Sequence, residues 1–315
     1  MGDIDYSRFD PELRARARFL PKGYALQRGL ARPRALMKVA GAVGRIRGVE
    51  VADVAPGVRV RIHRPAGIDE PGPAMLWIHG GGMVMGNAAQ EDAFCRKLAN
   101  FTDVTVAAVD HRLAPEHPYP TPLEDCYWAL RWLARQTWVD STRIAVGGAS
   151  AGGGFSAAAA QLAHDRGDVK LRLQMLVYPM LDDRTGANGD GGRVMWSADD
   201  NQLAWQWYLA GADPTAAVPA RRTDLSGLPR LGSASVIRTS FTQSVSNTPR
   251  VCAMRVCRCM WRSRSEPSTH STSLPRMHRC PNASSPANAE PCVRLSSTTT
   301  CIPEESQCHD TKPST

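Results

Sequence analysis

The chain has 315 residues with 38 Lys/Arg, 30 Asp/Glu and a formal net charge of +8, enough for one large α/β domain with a substantial core. No apolar run approaches the ~20 residues that span a bilayer, and residues 1–10 are polar and acidic, so no secretory signal and a cytoplasmic location are expected. From Leu231 onward there are ten Lys/Arg against five Asp/Glu; +5 of the +8 lies there, so the remainder is near neutral and needs no polyanionic partner such as nucleic acid.

In chain order, Asp10–Val43 intersperses Arg with Leu, Phe and Ala at roughly helical spacing, which predicts N-terminal helices over residues 1–45. Val49–Val54 and Val58–His63 read as antiparallel strands, and Ala74–Ile78 and Val104–Val109 as buried ones. Asp140 and Ser141 are expected to end one helical region and lead into the strand Arg143–Gly147, with Leu171–Val177 a further strand. Asn201–Ala210 predicts a second cap helix within an insertion over about 184–222, its Trp205, Trp207 and Tyr208 either core or substrate contacts.

Two motifs carry chemistry. Gly148-Ala149-Ser150-Ala151-Gly152 is a G-x-S-x-G pentapeptide between a strand-like run and a helix-like run of small residues. A serine there sits on a sharp strand-to-helix turn, a nucleophile elbow, whose flanking Gly148 and Gly152 avoid backbone collisions. His79-Gly80-Gly81-Gly82 follows the apolar strand Ala74–Ile78. Backbone N–H groups with no side chain in the way suit an oxyanion, and this is where a serine hydrolase places them.

With HGGGMVMG at His79–Gly86, DHRLAPEHPYP at Asp110–Pro120, LEDCYWALRW at Leu123–Trp132 and RIAVGGASAGG at Arg143–Gly153, the chain resembles the hormone-sensitive-lipase-like carboxylesterases. The resemblance runs from near the N-terminus to Pro229. It implies an α/β-hydrolase fold of class α/β, a mostly parallel sheet flanked by helices with a helical cap. It also implies Ser150 as nucleophile, Gly81, Gly82 and Ala151 as oxyanion donors, and His79 and Gly80 as loop-ordering residues. The substrate would be a small-molecule ester, with no cofactor, no metal and no stable membrane insertion. The family usually has an acid where Ala149 stands and a tyrosine where His111 stands, positions that do no chemistry.

The triad acid and histidine should follow the serine, and neither is recognisable. Residues 230–315 hold seven of the nine cysteines, two aromatics (Phe241 and Trp261) and 26 Ser/Thr, without helical or strand periodicity; by pattern they are aperiodic and disordered. Cys252, Cys257, Cys259, Cys280, His270 and His278 fit no regular zinc spacing.

The preferred reading is a frameshift after Pro229. Synonymous codons from Arg230 onward, read with two bases dropped, give Ala-Trp-Ile-Gly-Val-Gly, then Asp-Pro-Asp-Leu-Phe, then Gly-Ala-Val-His-Ala-Phe-Asp. These resemble the family's late strand, acid and histidine motifs in order. The acid would have been coded across Arg238/Thr239 and the histidine across Ser268/Thr269. On this reading the last two strands and last helix are lost, a sheet edge is uncovered, and Ser150 keeps its proton for want of a base. An ester hydrolase impaired by loss of the triad acid and histidine, a catalytically dead remnant and a peptidase or amidase remain open.

Overall fold

The computed structural model describes residues 14–15, 18–19, 23–67, 70–185 and 195–234. Among these residues seven strands form one sheet: β1 (Glu50–Ala55), β2 (Val58–His63), β3 (Gly72–Ile78), β4 (Thr105–Asp110), β5 (Val139–Ala149), β6 (Leu171–Val177) and β7 (Arg230–Ala234), in the order β1-β2-β4-β3-β5-β6-β7. β1–β2 and β2–β4 pair antiparallel and every later pair is parallel. The helices are α1 (Ala31–Gly44), α2 (Asp92–Thr102), α3 (Thr121–Ala134), α4 (Ala151–Arg166), α5 (Ala198–Leu209) and the short α6 (Pro214–Ala217). None among the described residues is long and apolar enough to cross a membrane.

The two-residue period of the strands assigns the two sides of the sheet. Leu76, Ile78, Ala107, Val109, Ile144 and Val146 bury against α3 and α4 through Leu130, Leu133, Phe155 and Ala159. Their neighbours Met75, Trp77, Val106, Ala108 and Ala145 bury on the other side with Cys95 and Ala99 of α2. Near-continuous apolar runs are what a parallel sheet covered on both faces requires.

Two expectations are corrected. Asp140 and Ser141 do not close a helix: α3 ends at Ala134, and both lie inside β5, which starts at Val139. Order also continues past Pro229. Arg230–Ala234 pair parallel to β6 from Leu173↔Arg230 to Val177↔Ala234, because an open strand edge recruits backbone whatever its side-chain pattern. The frameshift reading from residue 235 on, with its acid and histidine positions, lies outside the described residues.

The cap-side segments are joined through one carboxylate. Asp200 of α5, fully buried, accepts from the backbone N–H of Tyr24 (2.8 Å) and Leu26 (2.9 Å) and, with Ser197, closes a capping box at the start of α5. Trp205 and Tyr208 of that helix are 2% and 1% exposed and belong to the core, which favours packing for these two, while Trp207 is half-buried against it.

Candidate active site

Ser150 stands at the junction of β5 and α4 with φ 55° and ψ −120°, a backbone state that costs a non-glycine residue about 1–3 kcal/mol. Three bonds hold it there. Its N–H donates to Val177 O (2.9 Å), and its carbonyl accepts from Gly154 N–H (3.1 Å) and Met180 N–H (2.9 Å). The turn is possible only because the chain approaches itself closely. A methyl on Gly148 would lie 2.5 Å from Gly152 O, and one on Gly152 would lie 2.0 Å from Ile78 O. Here the two glycines of the pentapeptide serve close approach rather than unusual dihedrals.

The His79–Gly82 loop folds against this turn. A methyl on Gly80 would sit 3.0 Å from Ala149 O and 3.5 Å from Ser150 Cβ, so the two sequence motifs meet in space. Gly81 (φ +128°) and Gly82 (φ +61°) take left-handed conformations; Gly81 O accepts from Val84 N–H (3.2 Å) and Met85 N–H (3.1 Å). Among the described residues the N–H groups of Gly81 and Gly82 have no hydrogen-bond acceptor. Ala151 opens α4, where the first N–H groups of a helix lack intrahelical partners. The positive end of that 16-residue helix dipole adds to the pull on negative charge.

His79 is buried, and its Nδ1–H donates to Gly80 O at 2.8 Å. Its ring stacks on His111 at 4.4 Å and 8°. His111 is also buried and donates from Nδ1 to Arg112 O at 2.9 Å. Burial, reinforced by His79, lowers its pKa to about 3, so it is neutral near pH 7. From His111 an aromatic run continues through Phe155 (5.0 Å) to Tyr208 (5.4 Å further). Both imidazoles are thus committed to the loops, and among the described residues no side chain hydrogen-bonds the Ser150 hydroxyl.

The acids after β6 are committed too. Asp182 takes Arg184 through Nε (2.9 Å) and Nη2 (2.8 Å), and Asp183 takes Arg221 at 3.0 and 2.8 Å. Among the described residues no group of His, Cys, Asp or Glu is placed to hold a metal ion.

Sequence reasoning missed Trp196. It precedes α5, is 8% exposed, and packs its ring edge on Gly82. Its Nε1–H donates to Asn201 Oδ1 at 3.2 Å. An isolated tryptophan in a cap insertion carries no signal in the sequence that it touches a loop 114 positions earlier.

The family profile described as alpha/beta hydrolase fold matches residues 75–235. The chain is 40% identical over 171 residues to the esterase LipI of Mycobacterium tuberculosis, covering 50% of this chain and 52% of that protein. It is 39% identical over 187 residues to the carboxylesterase NlhH of the same species, covering 55% and 58%. The chain therefore spans about half the length of the curated relatives it matches. A bacterial heroin esterase superposes with a TM-score of 0.64 at 36% identity, covering 73% of this chain and 80% of that one.

Proposed function

The chain belongs to the alpha/beta hydrolase fold family, among its hormone-sensitive-lipase-like carboxylesterases, and from that premise we propose that it is built as a carboxylic-ester hydrolase with Ser150 as nucleophile. The observation that carries the reading is the close approach of the His79–Gly82 loop to the elbow, where a methyl on Gly80 would lie 3.5 Å from Ser150 Cβ. That approach supports a reading in which the N–H groups of Gly81, Gly82 and Ala151 serve as oxyanion donors for the serine.

In the reaction, Ser150 Oγ would attack the ester carbonyl and pass its proton to a general base, a role that no described residue fills. The carbonyl oxygen becomes an oxyanion on the three N–H groups. The alcohol leaves with a proton, and water then hydrolyses the acyl-serine. Removing one oxyanion donor costs roughly 3–4 kcal/mol of barrier. His79 and Gly80 shape the loop, and Gly148 and Gly152 let the elbow close. The substrate is a small-molecule ester and the setting cytoplasmic.

The alternative is an impaired or inactive remnant. It is favoured by the lack, among the described residues, of any partner for the Ser150 hydroxyl. Without its base such a site keeps only about 10³–10⁴ over water. A fluorophosphonate probe on the purified full chain tests the choice. Labelling that disappears in Ser150→Ala means an activated serine; no labelling of the folded wild type leaves the remnant.

A further inference from the structure

From Gly23 to Val49 the chain carries six cations, Arg28, Arg32, Arg34, Lys38, Arg45 and Arg47, and no Asp or Glu. Of these six, only Arg34 is ion-paired among the described residues, to Glu116 at 2.6 Å. The other five are exposed. α1 lies in the middle of this stretch. Its inner face is Pro33, Met37 and Gly41; its outer face is Ala35, Leu36, Val39, Ala42 and Val43, with Arg32 at the N-terminal end of the same face. Leu36 is 50% exposed, Val39 60% and Val43 82%. A surface helix ordinarily turns its charges outward. This one turns aliphatic side chains outward and flanks them with cations.

α1 is also tied to the candidate site. Arg34 Nε donates to Val84 O (2.8 Å) and its Nη2 to Ala114 O (2.9 Å), while Asn87 Nδ2 donates to Met37 O (3.0 Å). These acceptors and donors follow the Gly81–Gly82 loop and β4 directly. Between them an open groove of about 370 Å³ has Lys38 and Arg45 on its rim and Met37 and Leu113 in its wall.

We propose that α1 docks the protein reversibly onto an anionic lipid surface. The aliphatic face enters the boundary between headgroups and acyl chains, the exposed cations meet anionic headgroups, and the groove leaves room for a headgroup phosphate beside Lys38 and Arg45. Apolar area plus basic flanks is the combination that binds such interfaces. A second copy of the chain is the poorer occupant, because a two-fold contact through this face sets the same unpaired cations against each other. The Arg34 and Asn87 bonds place the segment after the Gly81–Gly82 loop directly behind the docked helix. That docking delivers membrane-partitioned esters to Ser150 rests on the proposed function; the docking itself does not.

The test is flotation of the full chain with vesicles of phosphatidylcholine alone or with about 30 mol% phosphatidylglycerol, at about 0.1 and about 0.5 M salt. Wild type binds the anionic vesicles at least about tenfold more tightly than the neutral ones, and salt weakens it. Leu36→Ser/Val39→Ser/Val43→Ser and Lys38→Glu/Arg45→Glu/Arg47→Glu each lose about tenfold or more with unchanged far-ultraviolet dichroism. Should the triple serine variant misfold, Val43→Ser alone, at the most exposed position, replaces it and still weakens binding.

The basic segment 231–315 is identical in all variants, so binding that survives these substitutions overturns the proposal. So does wild type that ignores anionic vesicles. Dimerisation abolished by the serine variant, without vesicle binding, makes the face a self-interface and also overturns it. Intact vesicle binding with an unlabelled Ser150 sinks the catalytic reading alone.

Discussion

The ring of Trp196 rests on the α-carbon of Gly82: a methyl built there would fall 1.9 Å from Trp196 Cη2. The contact joins the cap to the loop that would receive the oxyanion. Trp196 is itself held by Asn201, whose Nδ2 donates to Thr185 O at 2.9 Å, and by Tyr24 at 6.2 Å. A disturbance of the cap therefore has a short path to the loop.

Gly82→Ala places a methyl into that ring and fixes a side chain at φ +61°. Overpacking costs about 1–3 kcal/mol, and the left-handed backbone about 1–2 more. Adding Trp196→Ala opens the space and removes the overpacking part only. In urea denaturation the two substitutions are accordingly non-additive. Coupling below about 0.5 kcal/mol would mean that the ring does not bear on Gly82.

Asp200→Ala leaves the buried N–H of Leu26 and the partly buried N–H of Tyr24 without their acceptor and removes half of the capping box of α5. Each orphaned buried donor costs about 1–3 kcal/mol. Asp200→Asn keeps one carbonyl oxygen and loses less. Limited proteolysis reads the result, since release of the N-terminal segment exposes backbone near Tyr24 before the sheet unfolds. Equal cutting of wild type and Asp200→Ala would show that the carboxylate does not anchor that segment.

The sheet and elbow were legible because local spacing dictates them. Ala74–Ile78 and Val104–Val109 are buried strands by composition alone, and Gly148-Ala149-Ser150-Ala151-Gly152 permits little besides a tight strand-to-helix turn. Relationships across the cap were not legible. Asp200 reaches Leu26 across 174 positions, Trp196 reaches Gly82 across 114, and the His79–His111 stack depends on two loops meeting. No period or motif encodes such contacts, because they follow from the fold rather than from neighbouring residues. Arg230–Ala234 escaped for the opposite reason: their strand comes from the edge offered by β6, not from their own pattern.

Burial of His111 makes stability depend on pH. Its folded pKa is lowered to about 3, against about 6.5 in an unfolded chain. Between those values the unfolded state binds a proton that the folded state does not. Its contribution is therefore full above about pH 6.5 and falls by up to about 1.4 kcal/mol per pH unit below it. His63, also lowered by burial, adds to the slope in the same direction. Glu116, held down to about 2 by the Arg34 hydrogen bond, is lost only below the ordinary glutamate range. His111→Gln keeps a donor for Arg112 O and removes this titration, so its chemical-denaturation stability between pH 6.5 and 5 falls less steeply than that of wild type. Parallel slopes would refute the assignment.

Asp92, at the start of α2, is fully buried and accepts from Arg61 Nε (2.7 Å), Arg61 Nη2 (2.5 Å) and Ile46 N–H (2.8 Å); His63 Nε2 lies 3.2 Å away. Arg61 and His63 are alternate residues of β2, so both point to the same side of the sheet, at the N-terminus of α2 where negative charge is favoured. Asp92→Ala strands the buried guanidinium and costs about 3–5 kcal/mol. Arg61→Met/Asp92→Leu removes both charges and recovers most of that loss, since two ions taken out of water repay little more than good packing. The remainder, about 0.5–1.5 kcal/mol, is the lost hydrogen bond of the partly buried Ile46 N–H. Equilibrium unfolding of wild type, Asp92→Ala and the double variant measures the loss and its recovery. A double variant as unstable as Asp92→Ala would mean that the cluster is held for its shape and not to neutralise Arg61.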